Sequence, residues 1–258
     1  MQHVVAATDL TAASEPAVER AALASRAMGA ELHLLHVLPE LLPPLMGGGR
    51  VQKAERALLF RAQRLGYEIG CPVSSRVLRG DTARGIVRVS EDLGAVLTVF
   101  GHNTDGERPR RLLGSIVERS LGLIRNAALV IRDRSPGQAG YRKALLAPED
   151  GIELRALTPY LRHLAPRAAL HQIDLHRSAG GPRPKRKVVE HVRAMCRALE
   201  ADLLVIGVPR DETINPFRFR RILTSLVRVP ECDTLIVPQD CAVVPSEAPL
   251  RRRIRIAS

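Results

Sequence analysis

Gly101, Gly114 and Ser115 have the residue types and spacing of a phosphate-binding loop. Gly101 ends an apolar run, where a missing side chain lets an anion approach the main chain. Gly114 and Ser115 precede a helical pattern, so the spacing predicts that they open a helix whose free N–H groups and positive dipole end suit a phosphate. The sequence between them carries Arg108, Arg110 and Arg111. These residues could form a phosphate cradle or only a long surface loop.

A second polar segment, Ala7-Thr8-Asp9, also follows a short apolar run. Asp9 could accept a hydrogen bond from a base or a ribose, and it could equally serve as the turn residue or cap of the next helix. No nucleophile with an adjacent base can be singled out, so no catalytic residue is expected. His33 and His36 would point to opposite faces of a strand, and no metal site is expected.

These residues need a scaffold, and the first half of the chain supplies one by alternating strand and helix patterns. Strands are predicted at residues 4–7, 31–38, 71–78, 95–100 and 127–132, with helical segments between them. Ser14 is a candidate cap of the first helix, with Pro16 in its first turn. Repeated strand–helix–strand units call for a parallel sheet with helices on both faces, an α/β fold. Such sheets bind ligands beyond the carboxyl ends of the strands, where the strand order reverses.

The pattern repeats after a polar segment at residues 133–140. RKALLAP in the second half corresponds to HVVAATD in the first, and CDTLIVP corresponds to NAALVIR. This internal repeat predicts two units of one type, residues 1–137 and 138–240, followed by a basic C-terminal tail, 241–258. Only about ten residues, RSAGGPRPKR, stand where the first copy has a helix and a strand. The second sheet is therefore expected to be truncated to four strands.

Composition limits the classes of function. The 258 residues are 45% hydrophobic but only 3% aromatic, and no apolar run is long enough to cross a bilayer. We expect a cytoplasmic protein without a membrane partner. The formal net charge of +12 favours anionic partners. Basic clusters at 108–111, 183–187 and 251–255 suggest nucleic acid, but the scarcity of aromatic side chains for base stacking argues against it.

The chain resembles the universal stress protein family, a resemblance carried by VVAATDL, LLHVLPE, the RGD at 79–81, and the sequence GSIVER after Gly101. ATP-binding members carry G-x2-G-x9-G-[ST] after their fourth strand. Here Gly101, Gly114 and Ser115 match, and Thr104 stands at the second glycine. A β-branched residue is strained at positive φ. The loop therefore either follows another path, through Gly106, or binds a triphosphate more weakly.

The resemblance implies tandem flavodoxin-like (Rossmann-like) units, with strand order 3-2-1-4-5 in the first. It implies that an adenine nucleotide, ATP with Mg²⁺, binds the first unit. The positions implied for adenine and ribose are Ala7, Thr8, Asp9 and Val37, and those implied for the phosphates are Gly101, Asn103, Thr104, Gly114, Ser115 and Ile116. It also implies that the two fifth strands face each other in an intramolecular pseudo-dimer, and a homodimer of the whole chain is left open.

The second copy departs from the nucleotide-binding pattern. Glu149 replaces Asp9, Gly207 is followed by Val-Pro-Arg, and Leu223-Thr224 stand where the first copy has Gly-Ser. We expect this copy to bind no nucleotide by the family's mode and to act as a structural partner. The expected function is that of a stress-response regulator without enzymatic activity, or with only weak ATPase activity. The alternatives are a hydrolase of ATP, a nucleic-acid-binding protein, and a protein-interaction module that binds no nucleotide.

Overall fold

The computed structural model describes residues 1–40, 44–101, 110–132, 140–148, 154–175, 177–178, 181–182, 185–208, 232–239, 241 and 255–256. The chain divides into two compact units, Met1–Asp133 and Arg134–Ser258. The sequence repeat had predicted a boundary near residue 138. Each unit is an α/β structure built on parallel strands.

Unit 1 alternates strands and helices along its whole length. Its strands form a parallel sheet in the order β3-β2-β1-β4-β5, which confirms the predicted order 3-2-1-4-5. The elements are β1 His3–Ala7, α1 Glu15–Met28, β2 Glu31–Leu38, α2 Pro44–Ile69, β3 Val73–Arg79, α3 Thr82–Asp92, β4 Leu97–Gly101, α4 Arg110–Leu121 and β5 Ala127–Ile131.

The aliphatic pattern of the sequence explains how the helices pack. In α1 the side chains of Ala17, Ala21, Ala24 and Met28 recur on one face and are buried, and α1 contacts β1 and β4. Because most of these side chains are small, the helix packs close to the sheet. The loop after β1, which leads into the amino end of α1, is therefore held near the strands. α3 packs on β2 from the opposite face of the sheet, where Val37 contacts it.

Helix α1 begins differently from the prediction. Pro16 lies in its first turn as expected, but Ser14 makes no side-chain capping hydrogen bond. A short 3-10 turn, Ala12–Ser14, precedes the helix. The Ser14 hydroxyl instead donates to the Thr11 carbonyl at 2.9 Å. The side chain is therefore engaged in the loop after β1, where it helps to shape the candidate site.

Unit 2 has four main parallel strands in the order β7-β6-β10-β11. Where unit 1 has α2 and β3, the described residues of unit 2 form a short antiparallel pair, β8 with β9. This is the predicted truncation. The elements are β6 Lys143–Pro148, α5 Leu154–Leu164, β7 Ala169–Gln172, β8 Arg177–Ser178, β9 Gly181–Pro182, α6 Lys185–Leu199, β10 Leu203–Val208 and β11 Asp233–Pro238.

The expectation of a four-stranded second sheet needs one correction. A two-residue strand, β12 Arg255–Ile256, pairs in parallel with the outer edge of β7. It occupies the sheet position that β3 holds in unit 1. An edge strand exposes unpaired main-chain groups, and a later part of the chain satisfies those of β7. The segment predicted as a basic tail therefore contributes to the sheet of unit 2.

The length and hydropathy of the helices bear on membrane association. Among the residues that the structure describes, no helix combines the length and the apolar character that a bilayer span requires.

Candidate functional site

The strand order of unit 1 reverses at β1, which pairs with β2 on one side and with β4 on the other. Ala7, the last residue of β1, is in register with Leu35 and with Phe100. The chain leaves β1 and β4 at the same edge of the sheet and turns to helices on opposite faces, which opens a crevice between the two loops. The structure therefore places Ala7, Thr8 and Asp9 beside Gly101.

The loop after β1 is held by its own side chains. Asp9 Oδ1 accepts hydrogen bonds from the Thr11 main-chain N–H at 3.0 Å and from the Thr11 hydroxyl at 2.6 Å. Thr8 Oγ1 accepts from the Leu10 N–H at 3.0 Å and lies 2.8 Å from Ser14 Oγ. Both predicted residues thus have a structural role here: Thr8 and one oxygen of Asp9 fix the loop.

Leu10 adopts a left-handed backbone conformation, with φ of 63°. Such a conformation costs a non-glycine residue about 1–3 kcal/mol, and it persists only where the surroundings impose it. The hydrogen bond from its N–H to Thr8 Oγ1 and the Asp9–Thr11 bonds on its other side supply that constraint. The loop after β1 is therefore a rigid boundary on one side of the crevice.

His36 supports the same loop and was missed as a site residue. Its Nδ1 lies 2.8 Å from the Thr8 carbonyl oxygen, and the Thr8 N–H donates to the Leu35 carbonyl at 3.0 Å. His33 and His36 were expected to point to opposite faces of the strand, and they do make separate contacts: His36 with Thr8, and His33 with Ser74 on β3. The only signal in the sequence for this role was the position of His36, a polar residue near the end of a predicted strand.

Packing does not require glycine at position 101. A Cβ there would lie 3.5 Å from Ala17 Cβ and 3.8 Å from Ser14 Cα, which are ordinary contacts. Val37, by contrast, is confined: a Cβ placed on Gly85 of α3 would lie 3.2 Å and 3.3 Å from its two methyl groups. Val37 is buried and forms an apolar wall between β2 and α3.

Helix α4 begins earlier than predicted. It starts at Arg110, so Gly114 and Ser115 lie in its second turn and do not open it. The sequence RRLL consists of good helix formers and follows a proline, which explains the early start. The N–H groups that have no partner within the helix belong to residues 110–113. Ile116 is half-buried on α4.

Several predicted residues lie outside the part of the chain that the structure describes. Asn103 and Thr104 lie outside the described residues, as do the side-chain surroundings of Gly114 and Ser115. The same holds in unit 2 for Glu149, Arg210, Leu223 and Thr224, whereas Gly207 lies in β10.

Helix α4 is tied to α3 by an ion pair. Arg119 Nη2 donates to Asp81 Oδ2 at 2.5 Å, and the same carboxylate caps α3 by accepting from the Arg84 N–H at 2.9 Å. These two hydrogen bonds hold the pKa of Asp81 below its usual value, and the one from the Arg84 main chain has the larger effect. Asp81 belongs to the RGD at 79–81, so this piece of the sequence pattern has a structural role.

A family model described as the universal stress protein family matches residues 1–132. The chain belongs to the universal stress protein family. The matched region contains all ten predicted site residues and the whole of the strand-order reversal. A comparison with curated protein sequences gave no match.

A solved structure shows the same fold over most of the chain. A universal stress protein from Archaeoglobus fulgidus aligns with a TM-score of 0.69 at 16% identity, covering 92% of this chain and 96% of its own. Two shorter structures cover 51% of this chain. One is a universal stress protein in complex with cAMP, with a TM-score of 0.43, 23% identity and 97% of its own chain covered. The other is from Archaeoglobus fulgidus in complex with dAMP, with a TM-score of 0.42, 17% identity and 98% covered.

Proposed function

We propose that unit 1 binds an adenine nucleotide, ATP with Mg²⁺, at the edge where β1 and β4 diverge. The observation that carries the proposal is the reversal of strand order at β1, which brings Ala7, Thr8 and Asp9 to the same edge as Gly101. In open parallel sheets this is the position at which ligands bind. Family membership over residues 1–132 supports the choice of an adenine nucleotide.

The charge distribution of α4 favours an anion at its amino end. Its first turn contains Arg110 and Arg111 and no acidic residue. This is the reverse of the usual preference, since the amino end of a helix carries a partial positive charge. A phosphate would relieve this repulsion and would accept hydrogen bonds from the N–H groups of residues 110–113, which have no partner within the helix. We therefore extend the proposed phosphate site from Gly114 and Ser115 toward Arg110.

On the other side of the crevice, the proposed contacts with the base and the ribose come from the loop after β1 and from Val37. Asp9 would hold the ribose or base through its carboxylate, and Val37 would contact the base through its apolar side chain. Thr8 would act indirectly, because its hydroxyl maintains the loop that positions Asp9.

The proposed activity is binding without turnover. Nucleotide occupancy would alter the loop surface that unit 1 presents to a regulatory partner, and unit 2 would have a structural role. Incubation of the purified protein with ATP and Mg²⁺ tests this, because accumulation of ADP in proportion to protein would identify an ATPase instead.

Native mass spectrometry of the purified chain, together with calorimetric titration of ATP, tests binding itself. We expect one nucleotide per chain and its loss in Gly114→Val. Gly49→Val is the matched control, since Gly49 is also a helical glycine of unit 1 and has open space around it. Equal binding by both variants would show that the phosphates lie elsewhere. Absence of binding by the unaltered chain would refute the proposal.

Asp9→Asn separates the charge of the loop from its shape. An asparagine can keep Oδ1 as the acceptor for the two Thr11 donors, so the loop is expected to persist. If the carboxylate contacts the ribose, affinity for ATP should fall by about tenfold, as expected for one charge-assisted hydrogen bond. Unchanged affinity would remove Asp9 from the site.

A further inference from the structure

Three side chains with metal-binding atoms meet where the strands of the unit 1 sheet begin. This amino-terminal edge of the sheet lies opposite the candidate nucleotide site. His3 and Glu31 are the first residues of β1 and β2, and His33 follows on β2. We call these three residues the amino-edge cluster. Each offers one potential ligand atom, and these atoms all lie within 4.8 Å of one another. The strand register explains the meeting, because His3 pairs with Glu31 and alternate residues share a face.

The distances between these side-chain atoms are close to the distances between the ligand atoms of a coordinated ion. His3 Nδ1 lies 2.8 Å from His33 Nε2, and the Glu31 carboxylate oxygens lie 3.9 Å and 3.6 Å from these two nitrogens. Bonds of about 2.0–2.1 Å in tetrahedral geometry would place ligand atoms about 3.3 Å apart. The two imidazole nitrogens would therefore have to separate by about half an ångström, and Glu31 would have to turn so that one of its two oxygens approaches both nitrogens.

We propose that the amino-edge cluster is a zinc site, with His3 Nδ1, His33 Nε2 and a Glu31 carboxylate oxygen as its protein ligands. Two imidazoles and one carboxylate suit Zn²⁺ better than Mg²⁺ or Ca²⁺, which prefer ligand sets made of oxygen. The three side chains keep 15–23% of their surface exposed to solvent, which gives an ion access and leaves room for water as the fourth ligand.

Ser74 on β3 supplies the outer partner that zinc-binding histidines commonly have. Its Oγ lies 2.5 Å from His33 Nδ1. When Nδ1–H donates to this hydroxyl, Nε2 carries the lone pair that points toward His3. Binding of zinc then needs only a shift of the His3 proton from Nδ1 to Nε2, so both imidazoles remain neutral. Ser74 is a positioning residue in this proposal.

The space beyond Ser74 is compatible with such adjustments. His33 and Ser74 line a cavity of about 180 Å³ between β2, β3 and α3, together with Arg76, Val89 and Leu93. The site is also independent of the nucleotide proposal, because it lies at the amino edge of the sheet.

The experiment is titration of the chelator-treated full chain with Zn²⁺. Calorimetry measures the affinity and stoichiometry, and thermal unfolding measures the change in stability. We expect one Zn²⁺ per chain and a rise in the unfolding midpoint. Co²⁺ in place of Zn²⁺ should give the visible absorption of a four-coordinate site. Glu31→Gln should weaken Zn²⁺ binding at least about tenfold, and His33→Ala should remove the stoichiometric binding and the Co²⁺ spectrum.

Matched variants distinguish the cluster from other zinc-binding groups. Cys71→Ser and His171→Asn remove a thiol and an imidazole outside the cluster and should leave the affinity unchanged. Ser74→Ala keeps all three ligands and should weaken binding by about 10–100-fold. Equal Zn²⁺ affinity in His33→Ala and the unaltered chain, with circular dichroism confirming that the variant is folded, would overturn the proposal. So would the absence of stoichiometric uptake by the unaltered chain.

Discussion

Replacing Gly85 by alanine should destabilise unit 1, although alanine is the better helix former. The new Cβ would lie 3.2 Å and 3.3 Å from the two methyl groups of Val37. Both distances are shorter than ordinary van der Waals contact. Valine has two methyl groups on three staggered positions, so rotation about χ1 can free only one of the two contacts. Because Val37 is buried in a central strand, it has little freedom to withdraw.

The magnitude follows from two opposing contributions. Glycine to alanine in a helix contributes about 0.8–1.0 kcal/mol of stability. Forcing an extra carbon into a packed contact costs about 1–3 kcal/mol. The expected net effect of Gly85→Ala is a loss of about 1 kcal/mol in the free energy of unfolding. If Val37 is first changed to alanine, the contact disappears, and Gly85→Ala should then stabilise the protein by up to about 1 kcal/mol.

Urea unfolding followed by far-ultraviolet circular dichroism, on the four members of this double-mutant cycle, measures the effect. The coupling free energy between positions 85 and 37 should be about 2 kcal/mol. Stabilisation by Gly85→Ala in the unaltered background, or a coupling below about 0.5 kcal/mol, would show that β2 and α3 adjust to the added carbon. The close contact of Val37 with α3 would then be an adaptable feature of the site wall.

Three further predictions concern polar groups. Thr98→Val should cost about 1–3 kcal/mol, because Thr98 Oγ1 bonds Ser90 Oγ at 2.9 Å and accepts from Asn126 Nδ2 at 3.0 Å in a buried network. Thr234→Val, the same change in a buried strand, should be neutral or stabilising, since the Thr234 hydroxyl has no hydrogen-bond partner among the described residues. Asp81→Ala should cost about 1 kcal/mol near neutral pH through loss of the α3 cap, and chemical denaturation checks all three. Because the pKa of Asp81 is lowered in the folded protein, its contribution is present above the unfolded value near 3.8 and disappears as pH falls through the folded pKa. A penalty for Asp81→Ala that stays constant across that acidic range would contradict this assignment.

The parts of the fold that depend on periodicity could be predicted from the sequence. The alternation of apolar runs with helical stripes located every strand of unit 1 to within two residues at each end. The start of α4 could not be located in the same way, because the residues that precede Gly114 are themselves good helix formers. Strand β12 was missed because it has only two residues and pairs with a strand far away in sequence.

For the site, sequence reasoning identified the loop after β1 but not what holds it. The positions of Thr8 and Asp9 follow from the end of β1, whereas their engagement with Ser14 and Thr11 depends on the turn geometry. The amino-edge cluster was missed for a related reason. His33 was compared with His36, its neighbour in sequence, while its partner His3 lies on another strand.

The order in which the chain is synthesised gives β12 a consequence for folding. In unit 1 the edge partner of β2 emerges from the ribosome before β4 and β5, so the sheet is complete once residue 131 is made. In unit 2 the edge partner of β7 is β12, and the other strands that the structure describes in that unit precede it. Nascent chains, and chains cleaved by a protease between β11 and β12, therefore expose the edge of β7. An exposed strand edge can pair with another polypeptide, so unit 2 is where we expect a chaperone to engage the newborn chain.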